Sequence, residues 1–143
     1  MNFYVGVFRN SKIISIQHYP EGPLEGPMKG MEGTVLTGVF ELEGIRFMAL
    51  DGGPVFKFSE AISFYVECAD QGEVDYYWSK LSAVPEAEQC GWLKDKFGLS
   101  WQIIPRQMSE LMSNPDKEKA GRVIQAMLQM KKIDIAALEA AAA

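Results

Sequence analysis

The residues that could do chemistry in this chain are few. Between Ala61 and Cys68, Ser63, Tyr65 and Glu67 alternate with Ile62, Phe64, Val66 and Cys68. A strand would therefore set the first trio on one face and the apolar set on the other. A carboxylate beside a phenol on one face suits proton transfer, with Glu67 and Tyr65 as the candidate catalytic pair. A glutamate near a strand end also reads as a solvated charge. Cys68 falls on the apolar side and lacks a histidine partner, which a thiol nucleophile needs. Cys68 and Cys90 have neither CxxC nor zinc-ribbon spacing, so both read as reduced, buried residues inside strands. His18 is the one histidine; beside Tyr19 on a strand it reads as a surface or packing residue rather than a ligand. Gly52-Gly53-Pro54 follows a strand, but it leads to another strand, so it reads as a turn and not as a nucleotide loop.

The elements that would position these residues follow from periodicity. Met1 to Phe8 carries Phe3, Tyr4, Val7 and Phe8 at helical spacing, and Lys12 to Tyr19 alternates as a strand. Pro20 to Gly33 is a Gly- and Pro-rich loop, read as a flap over a sheet, without a phosphate-cradling pattern. Thr34 to Leu42 and Ile45 to Leu50 form a hairpin. A second hairpin runs from about Gln89 to Ile104, with Trp92 and Trp101 as expected cross-strand neighbours. The two hairpins share a phrase: Phe40-Glu-Leu-Glu-Gly-Ile-Arg-Phe47 and Leu93-Lys-Asp-Lys-Phe-Gly-Leu-Ser-Trp101 each run through a charged turn with a glycine, then reach an aromatic three residues on. That repetition reads as a duplicated module. Between the hairpins, Glu73 to Leu81 has Val74, Tyr77, Trp78 and Leu81 on one helical stripe, and the tryptophans read as packing residues. Arg106 to Met112 is a short helix. A further helix is capped by Asn114, with Pro115 at its first position. Ile133, Ile135 and Leu138 continue the apolar stripe into an alanine-rich tail, which must lie on the sheet domain or on a partner subunit.

Composition narrows the class. The chain has 143 residues, 48% of them hydrophobic, enough for a real core. Its 14 basic residues are scattered and the net charge is −5, which argues against a nucleic-acid surface. No apolar run approaches a membrane span and no basic-then-apolar leader opens the sequence. A cytoplasmic protein is expected.

Three stretches carry a resemblance: Met48-Ala-Leu-Asp-Gly-Gly-Pro54, Phe56-Lys-Phe-Ser-Glu-Ala-Ile-Ser-Phe64, and Gln89-Cys-Gly-Trp-Leu-Lys-Asp-Lys-Phe-Gly-Leu-Ser-Trp-Gln102. With the tail Ala126-Met-Leu-Gln-Met-Lys-Lys-Ile-Asp-Ile-Ala-Ala-Leu138, the chain resembles the PhnB-like branch of the vicinal oxygen chelate superfamily, whose members are often labelled 3-demethylubiquinone-9 3-methyltransferase. The resemblance implies an α+β fold of paired βαβββ modules of the glyoxalase/bleomycin-resistance kind, followed by C-terminal helices. It places the sheet domain at residues 1–105 and the helical extension at 106–143. Family members carry one more strand before the position of Met1, so a first module short of that strand, with an open neighbouring edge, is expected.

Metal-dependent members hold an ion with cavity-facing His and Glu side chains. The matching positions here are Met48, Ala61 and Gln102, none a good ligand for a hard divalent ion, so no metal and no cofactor are expected. The resemblance instead implies a ligand cavity lined by Met48, Ala61, Ser63, Tyr65 and Gln102, holding a small organic molecule without chemistry. The alternative is an enzyme of unknown reaction using Glu67 or Tyr65, and a third is a structural dimer that has lost its cavity. Methyl transfer lacks the glycine-rich turn that S-adenosylmethionine sites use. Paired modules and an apolar tail stripe point to a homodimer.

Overall fold

The computed structural model describes all 143 residues, which fall into two compact units, Met1–Lys57 and Phe58–Ala143. In the first, helix α1 (Asn2–Val7) precedes the strands β1 (Ser11–His18), β2 (Val35–Leu42) and β3 (Ile45–Leu50), which form one antiparallel sheet in the order β1-β2-β3. The β2–β3 turn is the tight one that its sequence predicts: Glu43 and Gly44 have φ of 47° and 83°, the paired left-handed conformation that matches strand twist. Phe40 sits opposite Phe47 and stacks on it at 5.5 Å. Val7, Phe8, Phe40 and Leu42 are buried in this unit, and β1 and β2 carry its contacts with α1. The Pro20–Gly33 loop is tied down rather than loose. The Tyr19 hydroxyl donates to the Asp51 carbonyl at 2.6 Å, and the Leu24 N–H donates to Glu32 Oε1 at 3.1 Å.

The second unit opens with β4 (Ser63–Cys68), two residues shorter at its start than the alternation suggests. Helix α2 (Gln71–Leu81) follows, then β5 (Trp92–Lys94) and β6 (Ser100–Pro105), and the sheet order is β4-β6-β5 with β4 parallel to β6. Each unit thus builds a three-stranded sheet from a module that would have four strands in full βαβββ form. The first has the order αβββ and the second βαββ, with a one-turn 3-10 segment at Pro85–Ala87 in the second where a further strand would stand. Asp70 caps α2 by accepting from the Glu73 N–H at 3.0 Å, while Glu73 Oε2 accepts from the Ala69 N–H at 2.8 Å. This reciprocal capping is worth ~1 kcal/mol. Val74, Tyr77 and Leu81 of α2 pack over the face that carries Cys68, Leu93, Trp101 and Ile103, all buried.

The turns on either side of β5 each correct one expectation. Gly98 has φ 85°, the Gly98 N–H donates to the Asp95 carbonyl at 3.0 Å, and the Asp95 N–H donates to the Leu99 carbonyl at 2.9 Å. The left-handed glycine adds one residue to the loop. The register therefore pairs Trp92 with Gln102 and Leu93 with Trp101, and Trp92 and Trp101 lie on opposite faces instead of side by side. Cys90, expected inside a strand, stands in the turn before β5 at φ 50°. Its N–H donates to the Met130 carbonyl at 2.8 Å, and the next N–H, of Gly91, donates to the Lys131 carbonyl at 2.8 Å. The chain's crossing of its own tail fixes that unusual backbone.

After β6 come α3 (Arg106–Met112), α4 (Lys117–Leu128) and α5 (Ile135–Ala142). The cap of α4 is Asp116, whose Oδ1 accepts from the N–H groups of Glu118 and Lys119 at 3.0 and 3.3 Å. Asn114 plays the lesser part of accepting from the Asp116 N–H at 2.9 Å. Ile104, Val123, Ile133 and Leu138 form one buried cluster, so the tail's apolar stripe lies on the unit's own sheet. No helix is long and apolar enough to cross a membrane.

Candidate functional site

The alternation along β4 places its polar trio on the face opposite α2, and the register of the sheet turns that face into a site. Tyr65 of β4 lies across from Gln102 of β6, and Gln102 lies across from Trp92 of β5. One rung of the sheet therefore carries an amide flanked by two aromatic side chains. Gln102 Nε2 donates to Ser63 Oγ at 2.8 Å, which fixes the amide plane and leaves its carbonyl and second N–H for another partner.

Above this rung lies a cleft of about 480 Å³, within the range of small-molecule sites. Tyr65, Trp92, Gln102 and Ile104 form its sheet side. Met108, Ser109, Met112 and Ser113 from α3 and its end, Met127 from α4 and Cys90 from the turn complete it. No acidic, basic or imidazole side chain is among them, and the polar groups of the cleft are the Gln102 amide, the Tyr65 phenol, the Trp92 indole N–H, the Cys90 thiol and two serine hydroxyls.

The expected site residues divide. Tyr65 and Gln102 line the cleft and Ser63 orients Gln102. Ala61 is exposed in the turn before β4, and Met48 belongs to the other unit, 71% exposed on β3. Glu67 is exposed on β4 next to the buried Cys68 and does not line the cleft, so the structure does not bring it to Tyr65's partners. His18 is exposed on β1. Trp92 and Cys90 are the site residues that sequence reasoning missed. Sequence alone reads Trp92 as a packing residue because its face depends on the register set by the Gly98 turn, and it reads Cys90 as a strand residue because its left-handed backbone is imposed by contacts with the tail. The Gln89-Cys90-Gly91 sequence ahead of an aromatic is the only signal that could have suggested a turn there.

The two thiols differ in kind. Cys68 is fully buried, and burial, with the carboxylates of Glu73, Asp70 and Glu67 adding to it, pushes its thiol up to about 12. It is inert near neutral pH. At the rim of the sheet, Lys94 pairs with Glu60, and the Lys94 ammonium holds that carboxyl below the ordinary range. Gly52-Gly53 forms a turn in which the Asp51 carboxylate accepts the Gly53 N–H at 3.1 Å. No helix intervenes between it and β4, so it does not fit an S-adenosylmethionine loop.

With this geometry in hand, comparison with known proteins places the chain. Residues 1–104 match the family described as 3-demethylubiquinone-9 3-methyltransferase. A PhnB protein from Bacillus cereus, which carries the 3-demethylubiquinone-9 3-methyltransferase name, is 38% identical, with 73% of this chain and 87% of that chain covered and a TM-score of 0.59. A protein from Staphylococcus aureus is 27% identical over 71% of this chain and 80% of its own, with a TM-score of 0.26. No curated protein matches the chain.

Proposed function

We propose that this chain, which belongs to the 3-demethylubiquinone-9 3-methyltransferase family and is similar to a PhnB protein, binds a small organic molecule in the cleft of its second unit. The ligand has a flat apolar body and one polar edge. The observation that carries this reading is the rung Tyr65–Gln102–Trp92, in which two rings flank an amide held by Ser63. Rings give area and stacking, and the fixed amide reads one donor or acceptor on the ligand. The same reading suits the vicinal oxygen chelate class, in which a curved sheet shelters a ligand. Hard divalent ions find no carboxylate or imidazole in this lining. Glu67, outside the lining, has no route to a proton on a molecule bound there, so binding stands ahead of proton-transfer catalysis. Methyl transfer from S-adenosylmethionine would need an acidic group for the ribose hydroxyls, and the lining has none.

Native mass spectrometry of gently purified protein is the first test, with a retained organic mass expected. Titration with 2-naphthamide, a flat aromatic bearing one amide, follows by tryptophan fluorescence. Gln102→Leu is expected to weaken it about tenfold, the value of one partly buried hydrogen bond. Trp92→Ala is expected to abolish the signal and the binding. Equal affinity in wild type and both variants overturns the reading.

A further inference from the structure

The polar groups of the cleft differ in how far they adapt to a partner. The hydroxyls of Tyr65, Ser109 and Ser113 and the Cys90 thiol turn their hydrogens, so each serves as donor or acceptor. Two groups cannot. The Trp92 indole N–H only donates, and the Gln102 amide cannot exchange its ends while its Nε2 donates to Ser63 Oγ at 2.8 Å. The Gln102 carbonyl is therefore a fixed acceptor, and Trp92, opposite it on β5, is a fixed donor one strand spacing, about 4.8 Å, away. We infer that the cleft selects an uncharged planar ring with an N–H beside a carbonyl, a cyclic amide, and that Gln102 is the residue that sets this preference. The selectivity rests on the binding reading proposed above for the same cleft.

A cyclic amide supplies what both fixed groups lack. Its N–H donates to the Gln102 carbonyl, and its carbonyl accepts from the Trp92 N–H or from the second N–H of Gln102. Quinones, esters and lactones carry acceptors alone. They answer the donors, but they displace water from the Gln102 carbonyl without replacing its hydrogen bond, and an acceptor left unpaired costs more than a made bond gains. A site built around a hydrogen bond discriminates against the isostere that lacks the donor for the same reason. Charge is sorted as well: no lysine, arginine or histidine lines the cleft, and the chain's net charge is −5. A carboxylate entering it would lose water and meet no cation. Ser63 is the positioning residue, because without its hydroxyl the amide is free to turn over and offer either end.

The test is titration calorimetry of the full chain with 2-quinolone and coumarin, planar bicycles of one outline in which a ring N–H is replaced by a ring oxygen. Wild type is expected to bind 2-quinolone about tenfold more tightly than coumarin. Gln102→Leu should bring that ratio to about one by weakening 2-quinolone. Ser63→Ala should also bring it toward one, but by strengthening coumarin, since the freed amide can present its NH₂; a merely structural role for Ser63 would weaken both ligands alike and leave the ratio standing. 2-Naphthoate should bind at least roughly tenfold more weakly than 2-naphthamide. Equal affinity for 2-quinolone and coumarin, a preference for coumarin, a ratio that survives Gln102→Leu or Ser63→Ala, or 2-naphthoate matching 2-naphthamide overturns the selectivity and leaves binding itself in place. No binding of any of the four compounds overturns the selectivity and the binding reading together.

Discussion

At the residue scale, the side chain whose role is hardest to see from its type is Asp95. It is fully buried, and its carboxylate accepts from the N–H groups of Phe97 at 2.8 Å and Leu99 at 3.1 Å and from Trp101 Nε1 at 2.9 Å. A buried carboxylate is tolerable when both of its oxygens accept hydrogen bonds in this way. Asp95→Asn keeps the two bonds at Oδ1 but turns an NH₂ toward the indole N–H, so two donors meet. A loss on the order of 1–3 kcal/mol is expected by urea unfolding. Trp101→Phe in the same background should recover part of it by removing the facing donor. In the sequence, Asp95 is simply the acid of a charged turn, and its anchoring of Trp101 depends on a bend that brings residues six apart face to face. Ser63 and Tyr65 are legible because strand alternation alone sorts faces, whereas Gln102 is reached only through the family resemblance. Trp92 is not legible, since a register shift of one residue decides its side.

Cys68 gives the residue scale its pH signature. Its thiol is raised from 9.0 to about 12 in the folded protein, so the unfolded chain loses this proton first. Its contribution to stability is fully present below pH 9.0 and is lost as pH rises toward 12. Cys68→Ala is expected to flatten the alkaline limb of the stability profile relative to wild type, measured by denaturant midpoints between those pH values. An unchanged alkaline slope would show that other groups set it. A thiol reagent at neutral pH should label Cys90 and leave Cys68 untouched in the folded protein.

Glycines separate local from tertiary control at the scale of elements. Gly44 has φ 83° with nothing near its Cβ position, whereas Gly91 has φ 85° and a Cβ there would lie 2.5 Å from Ile104 Cδ1 and 3.2 Å from both the Ile103 carbonyl and Ile133 Cγ1. Gly44→Ala is expected to cost about 1 kcal/mol of backbone strain. Gly91→Ala adds a clash with β6 and the tail, and the expected loss is severalfold larger. Urea midpoints of the two variants decide the ordering. The Gly44 turn was readable because its demand is local: Glu-Gly between two alternating runs names it. Gly91 gave no such sign, because the need for it comes from residues 103, 104 and 133. The helix caps show the same division. Asp70 and Asp116 satisfy N–H groups within three residues, yet Asn114-Pro115 offers an equally good local start for α4. The choice of Asp116 is worth ~1 kcal/mol and should appear as a larger loss for Asp116→Ala than for Asn114→Ala.

For the whole molecule, the apolar stripe of the tail no longer argues for a partner, since Ile133, Ile135 and Leu138 are buried within their own unit. What asks for one is the edge strand β3 of the first unit, where Ile45 is 63%, Met48 71% and Leu50 66% exposed. Monomers leave single apolar residues in water at little consequence, but several large ones on one open edge mark an interaction surface. Burying Met48 and Leu50 from each of two chains contributes several kcal/mol at ~25 cal/mol per Å², in keeping with the closed two-fold symmetry that most oligomers adopt. The proposal at this scale is a homodimer through β3. Light scattering after size exclusion should give twice the 16.0 kDa chain mass, and the M48S/L50S variant should give the single-chain mass with an unchanged circular dichroism spectrum. A wild type of single-chain mass at micromolar concentration removes the dimer, and a variant that stays dimeric removes β3 as its interface.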